Sequence, residues 1–284
     1  MELAYIKGDT AEVDRHVASM KGRPDEYFIL FSKAFMEFNL GKHTASSETI
    51  REAQASAQKF GNTEFAAILG GASAFTSSLI GDCSSAKSLA SASLQQSPTG
   101  ANLSPASGAL ANCGEAARAA QAIEVLSKQY PSDTMLNLVR KPVTLALLAM
   151  RAGKNDEALG LLEPARRIEL GWGRDSASAL APYVRGLVYL NKKDGASAAL
   201  EFRKILDRRY LFASAPSFTL SQLGLARAYA LEAGSVARGS NAAVNADFKA
   251  KARTAYQDFL AAWKDADPGL APLQQAKAEY ANLQ

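Results

Sequence analysis

A short glycine turn followed by an amphipathic helical stretch recurs along this chain, and no other feature constrains its fold as tightly. The segments are IKGDTAEVDRHV, NLGKHTASSETI, LIGDCSSAKSLA, NCGEAARAAQAI, RAGKNDEALGLL and NKKDGASAALEF. Their turn positions, Gly8, Gly41, Gly81, Gly114, Gly153 and Lys193, lie 33–40 residues apart. An apolar helical stretch precedes each turn and another follows it, so the unit is a helix–turn–helix hairpin. One hairpin cannot bury its apolar face alone; units of this length bury a shared core by stacking on their neighbours.

Aligning the turns brings small residues into register at two further positions. Seven residues before the turn stand Ala34, Ala74, Ser107, Ala146 and Gly186, and five after it Ser46, Ala86, Ala119, Ala158 and Ala198. Paired helices need small side chains where they cross, because a larger one would push them apart. Period and crossing residues together resemble the tetratricopeptide repeat, a 34-residue helix hairpin with a proline near its end. Pro98 and Pro131 stand at that place in two of the units. The resemblance implies an all-α, right-handed α-solenoid, one domain over residues 1–284, with about six hairpins and a C-terminal capping helix. The first hairpin has only MELAYIK before its turn and reads as truncated, leaving an apolar surface on which two copies would associate. The last hairpin is expected over residues 217–233 and 247–267, joined by a long exposed loop at about 234–246, with the capping helix after Pro268.

Composition agrees with helices and excludes several classes. Alanine, the best helix former, makes up about a fifth of the 284 residues, and aromatic residues only 8%. The longest apolar runs, such as VTLALLAM at 143–150, fall far short of the roughly 18–20 residues a membrane span needs. The net charge of +4 comes from 32 basic and 28 acidic residues, and the basic pairs Arg166-Arg167 and Arg208-Arg209 are interleaved with acids. That pattern reads as solvated helix faces and not as a nucleic-acid surface. The N-terminus MELAYIKGDT has no signal-peptide character, so the chain is either cytoplasmic or a piece of a longer protein.

A narrower resemblance lies in the last third. PYVRGLVYLNKKDGASAALEFRKILDRR, LGLARAYAL and KARTAYQDFLAAWKDADPGLAPLQQAKAEYANL resemble the C-terminal repeat arrays of certain bacterial proteins. In those the array follows a Ser/Thr protein kinase domain, or in relatives a winged-helix DNA-binding domain, often with a membrane span between. The resemblance implies the non-catalytic arm of a larger signalling protein, a scaffold or sensory region on the extracytoplasmic side of the membrane. A freestanding cytoplasmic adaptor or oligomerisation module is the alternative. The kinase motifs themselves, a glycine-rich G-x-G-x-x-G loop, H-R-D and D-F-G, are absent from the sequence.

Little else in the sequence points to chemistry. His16 and His43 are 27 residues apart with no Cys or carboxylate at ligand spacing, and neither a P-loop nor a G-x-S-x-G elbow occurs. No catalytic residue, metal or cofactor is expected. GWGRD at 171–175 reads as an inter-repeat loop. Cys83 just after one turn and Cys113 just before the next would meet along the edge of a stacked array. There they would form a disulfide outside the cytoplasm and remain thiols within it. First helices of such hairpins line a concave face. The residues expected there are Phe31, Phe35, Phe38, Phe75, Leu147, Tyr183, Leu187 and Arg227. They form either a groove for an extended peptide or partner helix or, if the array winds tightly, part of the core. Arg227 stands out, because an arginine buried without a partner is costly. Asn39, Asn112 and Asn191, two residues before their turns, read as capping residues.

Overall fold

The computed structural model describes residues 1–97, 100–169, 179–236 and 242–283, and among these every regular element is a helix. All six expected turn positions adopt left-handed backbone: Gly8 (φ 76°), Gly41 (74°), Gly81 (87°), Gly114 (80°), Gly153 (75°) and Lys193 (62°). Lys193 is the one residue other than glycine to do so among the described residues, a conformation that costs a side-chain-bearing residue about 1–2 kcal/mol. Each turn joins two helices: α1 (Glu2–Lys7) to α2 (Thr10–Met20), and α3 (Glu26–Asn39) to α4 (His43–Lys59). Next come α5 (Thr63–Leu79) with α6 (Cys83–Gln96), α7 (Gly100–Asn112) with α8 (Ala116–Gln129), and α9 (Lys141–Arg151) with α10 (Asn155–Leu162). The pairs α11 (Leu180–Asn191) with α12 (Gly195–Leu206) and α14 (Phe218–Val236) with α15 (Ala242–Ala262) follow. The short α13 (Arg209–Phe212) lies between those last two pairs, and α16 (Ala271–Ala281) ends the chain.

The residue after the turn explains why several second helices start where they do. Asp9, Asp82 and Asp194 each accept a bond from the backbone N–H three residues on, at 2.9, 3.1 and 2.9 Å. Such N-caps satisfy one of the orphan donors of a first helical turn. The crossing residues are buried as their size requires. Ala34, Ala74, Ser107, Ala146, Ala86, Ala119, Ala158 and Ala198 have no exposed surface, and Ser46 Oγ donates to the Ala34 carbonyl at 2.8 Å, joining the two crossing positions of one hairpin. At Gly186 a Cβ would lie 2.6 Å from the Phe202 ring, so the absence of a side chain there is what lets the ring sit against α11.

Hairpins pack against their chain neighbours, and the two ends of the chain also meet. Trp263, 1% exposed, donates its indole N–H to the Asn39 carbonyl at 3.0 Å. The Asp267 N–H donates to the Gly41 carbonyl at 3.0 Å, and its carboxylate accepts from the Thr44 N–H at 2.7 Å and the Thr44 hydroxyl at 2.9 Å. The α4 N-terminus, whose own Lys42 makes no side-chain cap, is therefore capped from 223 residues away. Gly41 permits this seam twice over: its φ is 74°, and a Cβ would stand 2.4 Å from that of Ala266. At the N-terminus Ala4, Val13 and Met36 form a small buried cluster, and Arg209 donates to the Ile6 carbonyl at 3.0 Å. The apolar surface expected on a truncated first hairpin is thus largely covered from within the chain.

A buried ion cluster fixes the α10–α12 region. Arg185, fully buried, donates to Glu201 Oε2 and to the Leu162 carbonyl, each at 3.0 Å, and also to Glu169. Lys204 bonds both glutamates, and Arg166 reaches Glu201 at 3.0 Å. Deleting one member would leave an uncompensated buried charge, a loss of about 3–5 kcal/mol. The loop expected at 234–246 is shorter, because α14 continues to Val236 and α15 begins at Ala242. Pro98 and GWGRD lie outside the described residues.

Candidate functional site

The first helices of the hairpins, α3, α5, α7, α9, α11 and α14, turn their apolar residues toward one another and enclose two cavities. The first, about 220 Å³, is bounded by Phe31 and Phe35 of α3, Phe75 of α5, Pro105 of α7 and Val143 of α9. The second, about 340 Å³, is bounded by Phe75, Leu147, Tyr183, Leu187, Leu223 and Arg227. Phe75 is the wall between them, and Gly108 allows its ring to lie on α7, where a Cβ would approach it to 3.0 Å.

Seven of the eight residues expected on a concave face line one or other cavity. Phe31, Phe35 and Leu187 are half-buried, whereas Phe75, Leu147 and Tyr183 are buried. Burial pushes the Tyr183 phenol up to about 12, with the Arg227 charge opposing the shift. Phe38 differs. It is 1% exposed, belongs to the main core with Ala74 and Ile80, and places its ring 6.3 Å from His43. It sits in the last turn of α3, directly before the seam, where packing from both chain ends closes over it.

Arg227 is not left alone. Its guanidinium meets Glu279 of α16 in a two-pronged pair, with Nε 2.9 Å from Oε2 and Nη2 2.9 Å from Oε1, and Nη2 also donates to Gln275 at 2.9 Å. The Tyr256 hydroxyl donates to the same glutamate at 2.8 Å. Sequence reasoning singled out Arg227 and missed all three partners. Glu279, Gln275 and Tyr256 lie 29–52 residues downstream in polar helices, where nothing in the local pattern distinguishes them from solvated residues.

Cys83 and Cys113 are joined in a disulfide, with Cα atoms 5.3 Å apart, and Cys83 lies on the second cavity. It ties the start of α6 to the end of α7, beside Asn112, whose amide donates to the Ser78 carbonyl at 2.8 Å. Asn39 instead donates to the Phe35 carbonyl of its own helix at 3.1 Å. A third cavity of about 700 Å³ lies between α1–α3 and α13–α15, with Asp14, Lys33, Lys42, Arg209 and Asp258 around it. No local pattern signals it, because its walls come from opposite ends of the chain. Burial raises the Tyr5 phenol there to about 12, against the lowering effect of Arg209.

Among the described residues no three His, Cys, Asp or Glu side chains are grouped to hold a metal ion, and no helix is long and apolar enough to cross a membrane. His16 pairs with Glu12 at 3.1 Å, and His43 lies in the seam. Compared with known protein families and with curated proteins, the chain matches no family model and no curated sequence.

Proposed function

We propose that this chain is a tetratricopeptide-like solenoid that acts as a protein-interaction scaffold, holding an apolar segment of a partner against the first helices of its hairpins. The observation that carries this reading is an aromatic path from the surface into the first cavity. Phe28, 50% exposed, meets Phe65 edge to face with ring centres 4.6 Å apart; Phe65 and Phe31 have ring centres 5.9 Å apart, and Phe31 and Phe35 4.5 Å apart on the cavity wall. Aromatic side chains around a concavity supply contact area at low conformational cost, and interface affinity concentrates in such anchors. Left-handed backbone at the six expected turn positions and small residues at both crossing positions of five hairpins support the repeat assignment. The likeness of the last third to bacterial kinase-associated arrays supports placing the chain as a non-catalytic arm of a larger signalling protein.

Panning a phage-displayed peptide library against the folded chain tests the reading. Enriched peptides should share apolar or aromatic positions, bind with micromolar Kd by calorimetry, and lose that binding in Phe35→Ala. Absence of enrichment, or binding indifferent to Phe31→Ala and Phe35→Ala, would overturn it.

A further inference from the structure

One wall of the second cavity is supplied by the last helix of the chain. Ala271, Pro272 and Gln275 of α16 face Tyr183, Leu187 and Leu223 across it. The apolar attachment of α16 is narrow. Of its eleven residues only Pro272, Leu273 and Ala276 are buried. Its polar ties run to α14 and α15: Arg227 with Glu279, whose side chains are 30% and 36% exposed, and with Gln275; the Tyr256 hydroxyl with Glu279; Gln257 with the Tyr280 hydroxyl at 2.8 Å; and Arg253 with the Leu283 carbonyl just past the helix end. A helix of this length is marginal by itself in water, so α16 owes its form to its seat. The seam ends at Asp267, and the three residues that follow, including Gly269 with open space around its Cα, connect the seam to α16. The helix can therefore leave while Trp263 and Asp267 keep the chain ends together.

The surface beneath α16 is specific in its chemistry. Apolar side chains from α9, α11 and α14 lie next to two donors, the Arg227 guanidinium and the Tyr256 hydroxyl, which converge on one carboxylate. Charge-assisted, two-pronged contacts of this kind select a carboxylate by geometry as well as by charge. We propose that α16 is a detachable lid seated where a partner helix docks, and that the partner is an amphipathic helix carrying an aliphatic residue, a small residue and a glutamate at three-residue spacing, as Leu273, Ala276 and Glu279 do. This deepens the interaction reading and rests on it: it names the partner's chemistry and makes α16 a competitor within the chain.

A labelled peptide of residues 268–284, titrated by fluorescence anisotropy into the full chain and into its Leu273→Asp variant, tests the lid. The variant, with its own α16 displaced, binds the peptide at least tenfold more tightly than the wild-type chain. A peptide carrying Glu279→Gln binds the variant about tenfold more weakly than the unaltered one. Equal affinity for the two proteins, or indifference to Glu279→Gln, overturns the proposal. Hydrogen exchange on the wild-type chain gives an independent result if the variant misfolds. Amides of residues 273–281 should exchange well before those of α14, and exchange at the α14 rate makes α16 a fixed cap and ends the proposal. Peptides selected by panning would still bind through the Phe31–Phe35 cavity in that event, so the lid can fail without the interaction reading failing.

Discussion

The last 22 residues hold two contacts of opposite character. The seam at Trp263–Asp267 seals the chain ends with a buried indole, three backbone partners and a carboxylate that caps a helix 223 residues away. The α16 seat, a few residues further on, rests on three buried side chains, a half-exposed ion pair and side-chain hydrogen bonds from Tyr256, Arg227 and Gln257. Both are long-range contacts made by short segments, yet burial separates them. Where a polar group is buried with its partner, as the Trp263 indole N–H is with the Asn39 carbonyl, breaking the contact leaves unsatisfied groups; where the contact reaches solvent, as at Arg227–Glu279, water takes the partner's place.

Substitutions across the two contacts should rank accordingly. Trp263→Ala removes a buried ring and strands the Asn39 carbonyl, and a loss of about 3–5 kcal/mol is expected from urea unfolding followed by circular dichroism. Leu273→Asp detaches α16, so its cost is capped at what the lid's docking contributes, about 2–3 kcal/mol, the burial of one large apolar side chain. Trp263 fluorescence should stay native in that variant, and a change would merge the two contacts into one unit. Asp267→Ala removes the borrowed N-cap and should cost about 1 kcal/mol in the same unfolding measurement. Arg227→Ala should cost about 1 kcal/mol, because its pair is half-exposed, and a loss above that of Leu273→Asp would mean the lid is more firmly fixed than its exposure indicates.

The smallest effect concerns pH and belongs to the seam alone. Burial holds His43 below the usual histidine range, although Asp82 and Asp267 pull it upward, and its Nδ1 is buried without a hydrogen-bond partner. The unfolded chain therefore binds a proton more readily than the folded one. The His43 contribution is fully present above pH ~6.5 and is lost as pH falls through the depressed folded value. Thermal melts from pH 7.5 to 5 should show a fall in stability that His43→Gln removes, and an unchanged slope in that variant would dissociate the pH response from the seam.

Much of this molecule was legible residue by residue. The turn glycines announced left-handed backbone, and Lys193 took the same conformation without being glycine because the helices on either side fix the turn. Crossing alanines announced close helix pairs, and seven of eight concave residues line the cavities. Phe38 was not separable from Phe31 and Phe35, since all three share one face of α3 and only the packing of distant segments distinguishes its last turn. Arg185 was equally silent: its partners come from α12 and from the residues after α10, 16 positions away on either side.

By itself, then, the sequence determined the helices, their turns and the pairing within each hairpin, because those depend on capping, backbone sign and side-chain size within about 40 residues. Tertiary structure decided the seam, the third cavity, the Arg185 cluster and the seat of α16. Each of these joins residues that lie in different hairpins or at opposite ends of the chain, and no local pattern encodes which distant helices meet.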